Sequence, residues 1–226
     1  MNRIYLIIFL FAVNIAHAQI SVDKNIIDIS SDRRHGDITV YNSGKNPEDV
    51  RISVFSIRQP GLATEQRFRS DNPRELGIIA TPRQFTLAPE QRRKIRLSFL
   101  KPAIDQDQIY RMLVEPLPKE KQDTTPSNSL ITLNIAYELL LIKRPPQYKI
   151  EYSANRIDGG LSIHNTGNSN FLLFSGEQCN TLGEDCRSIA GKRIYAGARH
   201  RFELPHGESP VQFMLNIGDD TRAVRF

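Results

Sequence analysis

The stretch from Leu130 to Pro146, LITLNIAYELLLIKRPP, constrains this chain more than any other. Ile131, Leu133, Ile135, Tyr137, Leu139 and Leu141 fall at every second position, with Thr132, Asn134, Ala136 and Glu138 among the residues between them. A strand turns successive side chains to opposite faces, so a period of two over this length predicts a β-strand with one apolar face. From Leu139 to Ile142 the run is apolar on both faces, as a strand is where it is buried between layers. Lys143-Arg144-Pro145-Pro146 ends it, because proline offers no ladder donor. The strand exceeds the roughly five or six residues usual in globular proteins. On its own residues it reads as a long core strand leading into a hinge between domains.

The rest of the chain repeats this grammar in shorter pieces. Ile20 to Ile29 reads as a first, interrupted strand. Gly36 to Tyr41, Asp49 to Ile57, Leu76 to Ala80, Gln84 to Leu87, Arg93 to Leu100 and Ile109 to Val114 follow, separated by Asn, Gly and Pro signals. Lys119 to Ser129 is polar throughout and reads as a loop before the long strand. After Pro146 a second series begins: Tyr148 to Tyr152, Gly160 to His164, Phe171 to Phe174, Arg193 to Tyr195, Arg201 to Leu204, Val211 to Ile217 and Ala223 to Phe226. No segment sustains a helical period. The two halves echo each other, with ITVYNSG at 38–44 and LSIHNTG at 161–167. The expected fold class is all-β: two immunoglobulin-like β-sandwich domains, 19–144 and 145–226, joined by a short Pro-containing hinge.

Residues 1–18 carry Arg3, an apolar run from Ile4 to Val13 and an Ala16-His17-Ala18 cleavage signal. That is the pattern of a cleaved signal peptide and is too short to span a membrane. The expected location is the periplasm, reached across the inner membrane, with no membrane insertion by the 208 residues that remain. Those residues hold 29 basic and 25 acidic side chains, a net +4, which asks for no nucleic acid in an exported protein. The two cysteines, Cys179 and Cys186, have six residues between them and face an oxidising compartment, so a disulfide between them is expected. It would brace a second domain of about 80 residues, whose core is small for its surface.

Catalytic chemistry has no foothold in these residues. His35, His164, His200 and His206 are scattered without metal-ligand spacing, and no nucleophile elbow, phosphate-binding loop or paired-histidine motif occurs. The chain is expected to be no enzyme, to need no cofactor or metal, and to bind no nucleotide.

Taken together, Ala80-Thr81-Pro82, Phe85 to Pro89, Lys94 to Leu97, Tyr110 to Glu115 with Leu117-Pro118, the strand from Ile131 to Pro145 and Ile163 to Asn168 resemble the periplasmic pilus-assembly (fimbrial) chaperones of the chaperone–usher pathway. Tyr110-Arg111 and the cysteine pair resemble its alternate and archaic branches. The resemblance implies a function. Pilin subunits of such systems are immunoglobulin folds that lack their last strand, and the chaperone lends one of its own and delivers the subunit to an outer-membrane usher. On that reading the partners are pilin or fimbrial subunits and the usher, and the donated strand covers about 130–142. Ile131, Leu133, Ile135 and Tyr137 would fill the pilin groove, with Leu130 as an addition. The alternative is an exported two-domain adhesin or pilus structural component. A long alternating strand placed mid-chain, before a second domain, favours the chaperone.

The family also anchors the subunit's terminal carboxylate with an Arg from the first strand and a Lys late in the donated strand. Here the expected Lys position falls on Leu140, and the first strand offers Lys24 but no Arg. The strand beginning at Tyr110 should pair antiparallel with the long strand, which brings Arg111 to the expected site. Arg111, Lys143 and Lys24 are therefore the anchor candidates. Arg144 reads better as a structural ion pair between the domains.

Overall fold

The computed structural model describes residues 19–118 and 134–226. In chain order its elements are β1 (Ile20–Val22), β2 (Ile26–Ile29), β3 (His35–Asn42), β4 (Glu48–Arg58), β5 (Gln66–Phe68), α1 (Pro73–Leu76), β6 (Ile78–Thr81), β7 (Gln84–Leu87), β8 (Arg92–Phe99), β9 (Gln108–Pro116) and β10 (Tyr137–Lys143). Then come β11 (Tyr152–Ile157), β12 (Gly160–Asn165), β13 (Phe171–Cys179), β14 (Cys186–Ile189), β15 (Lys192–Ile194), β16 (Arg199–Glu203), β17 (Val211–Ile217) and β18 (Asp220–Arg225). The first ten strands form two sheets. One has the order β1-β3-β8-β6, and the other β2-β10-β9-β4-β5 with β7 also paired to β4. The last eight form β11-β12-β16 and β14-β13-β17-β18, with β15 paired to β13. Each pair of sheets closes on itself as a sandwich, the all-β architecture expected from the periods of two.

Alternation decides which side chains go inside. On β8, Ile95, Leu97 and Phe99 are buried while Lys94 and Arg96 face water. Val50 and Ile52 on β4, Met112 and Val114 on β9, and Leu139 and Leu141 on β10 join them in one core. Each such side chain contributes about 1.5–3 kcal/mol of burial. The opposite face of the same sheet is also apolar at one end. Ile57, Ile109, Leu140 and Ile142 pack into the second core with Leu161, Phe171 and Phe213. This explains why β10 is apolar on both faces past Leu139: it is a middle layer there.

The sequence echo is a repeated turn device. Asn42 and Asn165 are both fully buried. Asn42 Nδ2 donates to the carbonyls of Asn46 and Leu87 at 2.8 and 3.0 Å, and its Oδ1 accepts from Gly44 N. Asn165 Nδ2 donates to Ser169 O and Ile194 O at 2.9 and 3.0 Å, and its Oδ1 accepts from Gly167 N. Each amide satisfies carbonyls that the sandwich would otherwise bury unpaired. Gly167 is required for space, since a Cβ there would lie 2.2 Å from Lys149 O.

Three expectations need correction. The first strand is two strands in different sheets. Asp23-Lys24-Asn25 breaks it, and Asp23 Oδ1 accepts from Thr39 N at 2.9 Å to cap the crossing. The piece at Leu76 to Ala80 begins as a helical turn, with Asn72 as N-cap and Gly77 at φ 90° ending it. The strand placed at Tyr148 to Tyr152 starts only at Tyr152. The backbone of Lys149 and Glu151 is taken up by the turn at 166–168, so it has no ladder to join. The expected signal peptide at 1–18 and the expected loop at Lys119 to Ser129 lie outside the described residues.

Candidate functional site

The site is assembled around the start of β10. Tyr137 to Lys143 pair antiparallel with Val114 to Gln108 of β9 along the whole strand. On the other side β2 pairs with β10 in parallel, but only from Leu140↔Ile26 to Lys143↔Ile29. Among the described residues, the β2-side edge of Tyr137 to Leu139 therefore has no strand beside it. Just ahead of it Asn134 to Ala136 are exposed, and Ile135 is 41% exposed. An aliphatic side chain beside an open sheet edge is a template for another strand. Ile131 and Leu133 lie outside the described residues. Tyr137 shares the face of Leu139 and Leu141 and packs partly against the first core.

The cationic candidates have separate fates. Lys143 is buried, 2% exposed, and its Nζ donates to the carbonyls of Ser30 at 2.8 Å, Ser31 at 3.0 Å and Arg33. Burial holds its ammonium below the ordinary value, with Asp32 opposing and Arg34 adding to the effect. Three carbonyls use its three donors, so Lys143 ties down the 30–33 turn. Lys24 lies in the break between β1 and β2, exposed and 3.9 Å from Asp23. Arg111 stands in register with Leu140 on one side and Phe55 on the other. It is half-buried, with Nε 3.6 Å from Glu138 Oε1.

Arg111 opens into a cleft between the two sandwiches, a cavity of about 370 Å³ lined also by Glu65, Lys192, Arg193, Tyr195 and Arg199. Burial pulls the Arg193 guanidinium below its usual range, and its Nη1 donates to the neutral Asn170 Oδ1 at 2.5 Å. Burial raises the Tyr195 phenol, and Arg111 and Arg193 oppose that rise. Positive charge is gathered here from both sandwiches, with Glu65 as the opposing carboxylate. Sequence reading does not single out Lys192, Arg193 or Arg199; their only signal is basic character at positions in and flanking β15 and β16.

Arg144 does not form the expected ion pair between the domains: its two carboxylates, Asp28 and Asp107, belong to its own sandwich, and it reaches the second through the carbonyl of Asn170. It binds Asp28 through Nε at 2.9 and 3.1 Å and through Nη2 at 2.6 Å, Asp107 at 3.2 Å and the carbonyl of Asn170 at 3.0 Å. Burial would lower its pKa, but both carboxylates more than offset that and raise it. Asp107 also accepts from Ser169 Oγ and from the backbone and side chain of Asn170. Cys179 and Cys186 are joined in a disulfide across the β13–β14 hairpin. Glu177 stands beside them, but bonded sulfurs are no metal ligands.

The model of the pili and flagellar-assembly chaperone family, PapD N-terminal domain, matches residues 19–149. The chain belongs to this chaperone family. A curated relative from Escherichia coli, named as a CS1 fimbrial subunit, is 28% identical over 171 residues, covering 71% of each chain. The class 5 fimbriae chaperone CfaA matches over 91% of the present chaperone and 98% of its own length, with TM-score 0.65 and 21% identity. A chain from the Salmonella enterica SafA pilin–SafB chaperone complex matches over 94% and 97%, with TM-score 0.68 and 16% identity. The archaic CsuC–CsuE complex of Acinetobacter baumannii gives TM-score 0.63 at 16% identity, over 92% and 98%. These structural likenesses establish the two-sandwich fold. The family match places the chain among chaperones rather than enzymes. No helix among the described residues is long and apolar enough to cross a membrane.

Proposed function

We propose that this chaperone captures pilin subunits in the periplasm by lending them the strand around 130–142, and hands them to an outer-membrane usher. The observation that carries the reading is the half-covered edge of β10. A pilin strand pairing along Tyr137 to Leu139 and the residues before it would add main-chain hydrogen bonds whatever its sequence. Ile131, Leu133 and Ile135 would fill the pilin groove, each with about 1.5–3 kcal/mol of burial. Because β2 begins opposite Leu140, the added strand has to end there, across from Arg111.

Arg111 is on this reading the anchor for the pilin's terminal carboxylate, and the cations of the cleft behind it supply supporting field. Lys143 is committed to backbone carbonyls, and Lys24 sits outside the lined cleft. We assign 19–144 to the capturing sandwich and 145–226 to the second, and keep the alternate or archaic branch. The name of the curated relative would suit a pilus structural component. A donor-like strand followed by a complete second sandwich suits a chaperone better.

Co-expression with pilins from neighbouring genes tests this. Wild type should bring a pilin down one-to-one, and Ile131→Asp, Leu133→Asp and Ile135→Asp should each lose it. Capture that survives all three changes would return the strand to ordinary core and move the structural-component reading ahead.

A further inference from the structure

Arg111 is a useful anchor only if its charge is available, and a carboxylate of the chain itself lies within reach. Glu138 sits on β10, diagonal to Arg111 across the β9–β10 pair and on the same face. Its Oε1 lies 3.6 Å from Arg111 Nε, an ion pair that stops short of hydrogen-bond distance. Arg67 of β5 holds the same carboxylate more closely: its Nη2 donates to both Glu138 oxygens at 2.8 and 2.7 Å. Arg67 is itself fixed: it stands in register with Ile57, and its guanidinium lies over the Phe55 ring at 5.8 Å. Phe55 is in turn the in-register neighbour of Arg111.

We propose that Arg67 is a positioning residue for capture: it engages the Glu138 carboxylate and so keeps the Glu138–Arg111 pair loose enough for the pilin's terminal carboxylate to displace it. The inference rests on the reading of Arg111 as the anchor. The chemistry is a competition between two carboxylates for one guanidinium. With Arg67 present, Glu138 is satisfied by a doubly hydrogen-bonded partner. Without it, the half-exposed Glu138 carboxylate closes on Arg111, and the present loose ion pair becomes a hydrogen-bonded one. The incoming carboxylate must then break that pair before it binds. Arg67 touches neither the pilin nor the anchored group in this scheme, so its effect passes wholly through Glu138.

The test uses the full chaperone and a synthetic peptide of alternating valine and threonine, prepared with a free C-terminal carboxylate or as the C-terminal amide. The readout is the ratio of the two dissociation constants by titration calorimetry. Wild type should prefer the free carboxylate by roughly tenfold, the scale of one charge-assisted hydrogen bond at a half-exposed group. Arg67→Ala should reduce that preference to about twofold or less. Adding Glu138→Gln to Arg67→Ala should restore it, which loss of a merely structural arginine would not allow. Arg67, Glu138 and Arg111 are all partly exposed, and circular dichroism of each variant checks that the fold is kept. A preference unchanged by Arg67→Ala overturns the proposal. So does a preference lost in Arg67→Ala and not regained in the double variant, which would make Arg67 a direct ligand. If wild type shows no preference, or Arg111→Ala keeps it, the anchor reading falls and this inference with it.

Discussion

Replacing Arg144 with Met tests the buried charge cluster of the first sandwich where it meets the second. The guanidinium is 7% exposed and faces carboxylates that are 25% (Asp28) and 4% (Asp107) exposed. Met fills most of its volume but leaves Asp107 buried with only neutral donors. Removing one partner of a buried pair costs about 3–5 kcal/mol. A chain of this size unfolds in urea with a slope near ~2 kcal/mol/M, so the midpoint should fall by about 2 M. The cost should depend on pH. Burial already lifts the Asp107 carboxyl above its ordinary 3.8, and Arg144 pulls it back. Without Arg144 the folded state holds this proton more tightly than the unfolded state does. Stability of the variant is then retained at low pH and lost as pH rises from about 3.8 through the raised folded value. Adding Asp107→Asn should recover part of the loss at neutral pH. Urea titrations at about pH 4 and pH 7, followed by circular dichroism, read all three effects. A loss below about 1 kcal/mol at neutral pH would refute the reasoning. So would a loss that does not vary with pH, or no recovery in the double variant.

Further outcomes follow from single residues. Asn165→Ala strands Ser169 O and Ile194 O and should cost about 2–3 kcal/mol in urea unfolding, with a similar value for Asn42→Ala. Replacing Cys179 and Cys186 by Ser opens a loop with a separation of 7 and should cost about 2 kcal/mol, seen as a lower melting temperature without loss of the native β spectrum. Ile135→Asp, at an exposed position, should change stability by less than about 0.5 kcal/mol yet abolish pilin capture. Leu139→Asp, on the same face further along and fully buried, should prevent folding, so the two phenotypes separate along one strand.

The strands with strict alternation are legible in the sequence because burial on one face leaves a period of two. Arg93 to Leu100 and Val211 to Ile217 fall within a residue or so of β8 and β17. Tyr110 to Val114 gives the antiparallel partner of the long strand, and with it the juxtaposition of Arg111 and Leu140. Segments whose hydrogen bonds leave the local ladder are not legible in this way. Tyr148 and Lys149 have the apolar–polar look of a strand, but their neighbourhood braces the 166–168 turn. β5 and β14 are short, exposed edge strands without an apolar pattern. Arg67 is invisible for the same reason: its role depends on β5 lying beside β4, a pairing of residues that no local pattern encodes. Lys143 looks like a free cation because sequence gives charge but not the carbonyls that surround it.

The register of Ile26 with Leu140 carries the last step. Leu140 stands where the family resemblance expects a Lys, and its neighbour in register, Ile26, is aliphatic as well. A terminal carboxylate left beside them would find no hydrogen-bond donor on either side chain. The charge that meets it has to come from the next strand, and Leu140's other neighbour in register is Arg111. On the proposed reading this displacement also sets alignment. A captured strand that slips by one residue turns every groove-filling side chain to the wrong face. Main-chain pairing along the open edge of Tyr137 to Leu139 tolerates such a slip, because each rung resembles the next. A carboxylate that can be satisfied at one rung only does not. Arg111 is then less a source of affinity than the stop that fixes where the pilin strand ends, which is why the looseness of its pair with Glu138 matters.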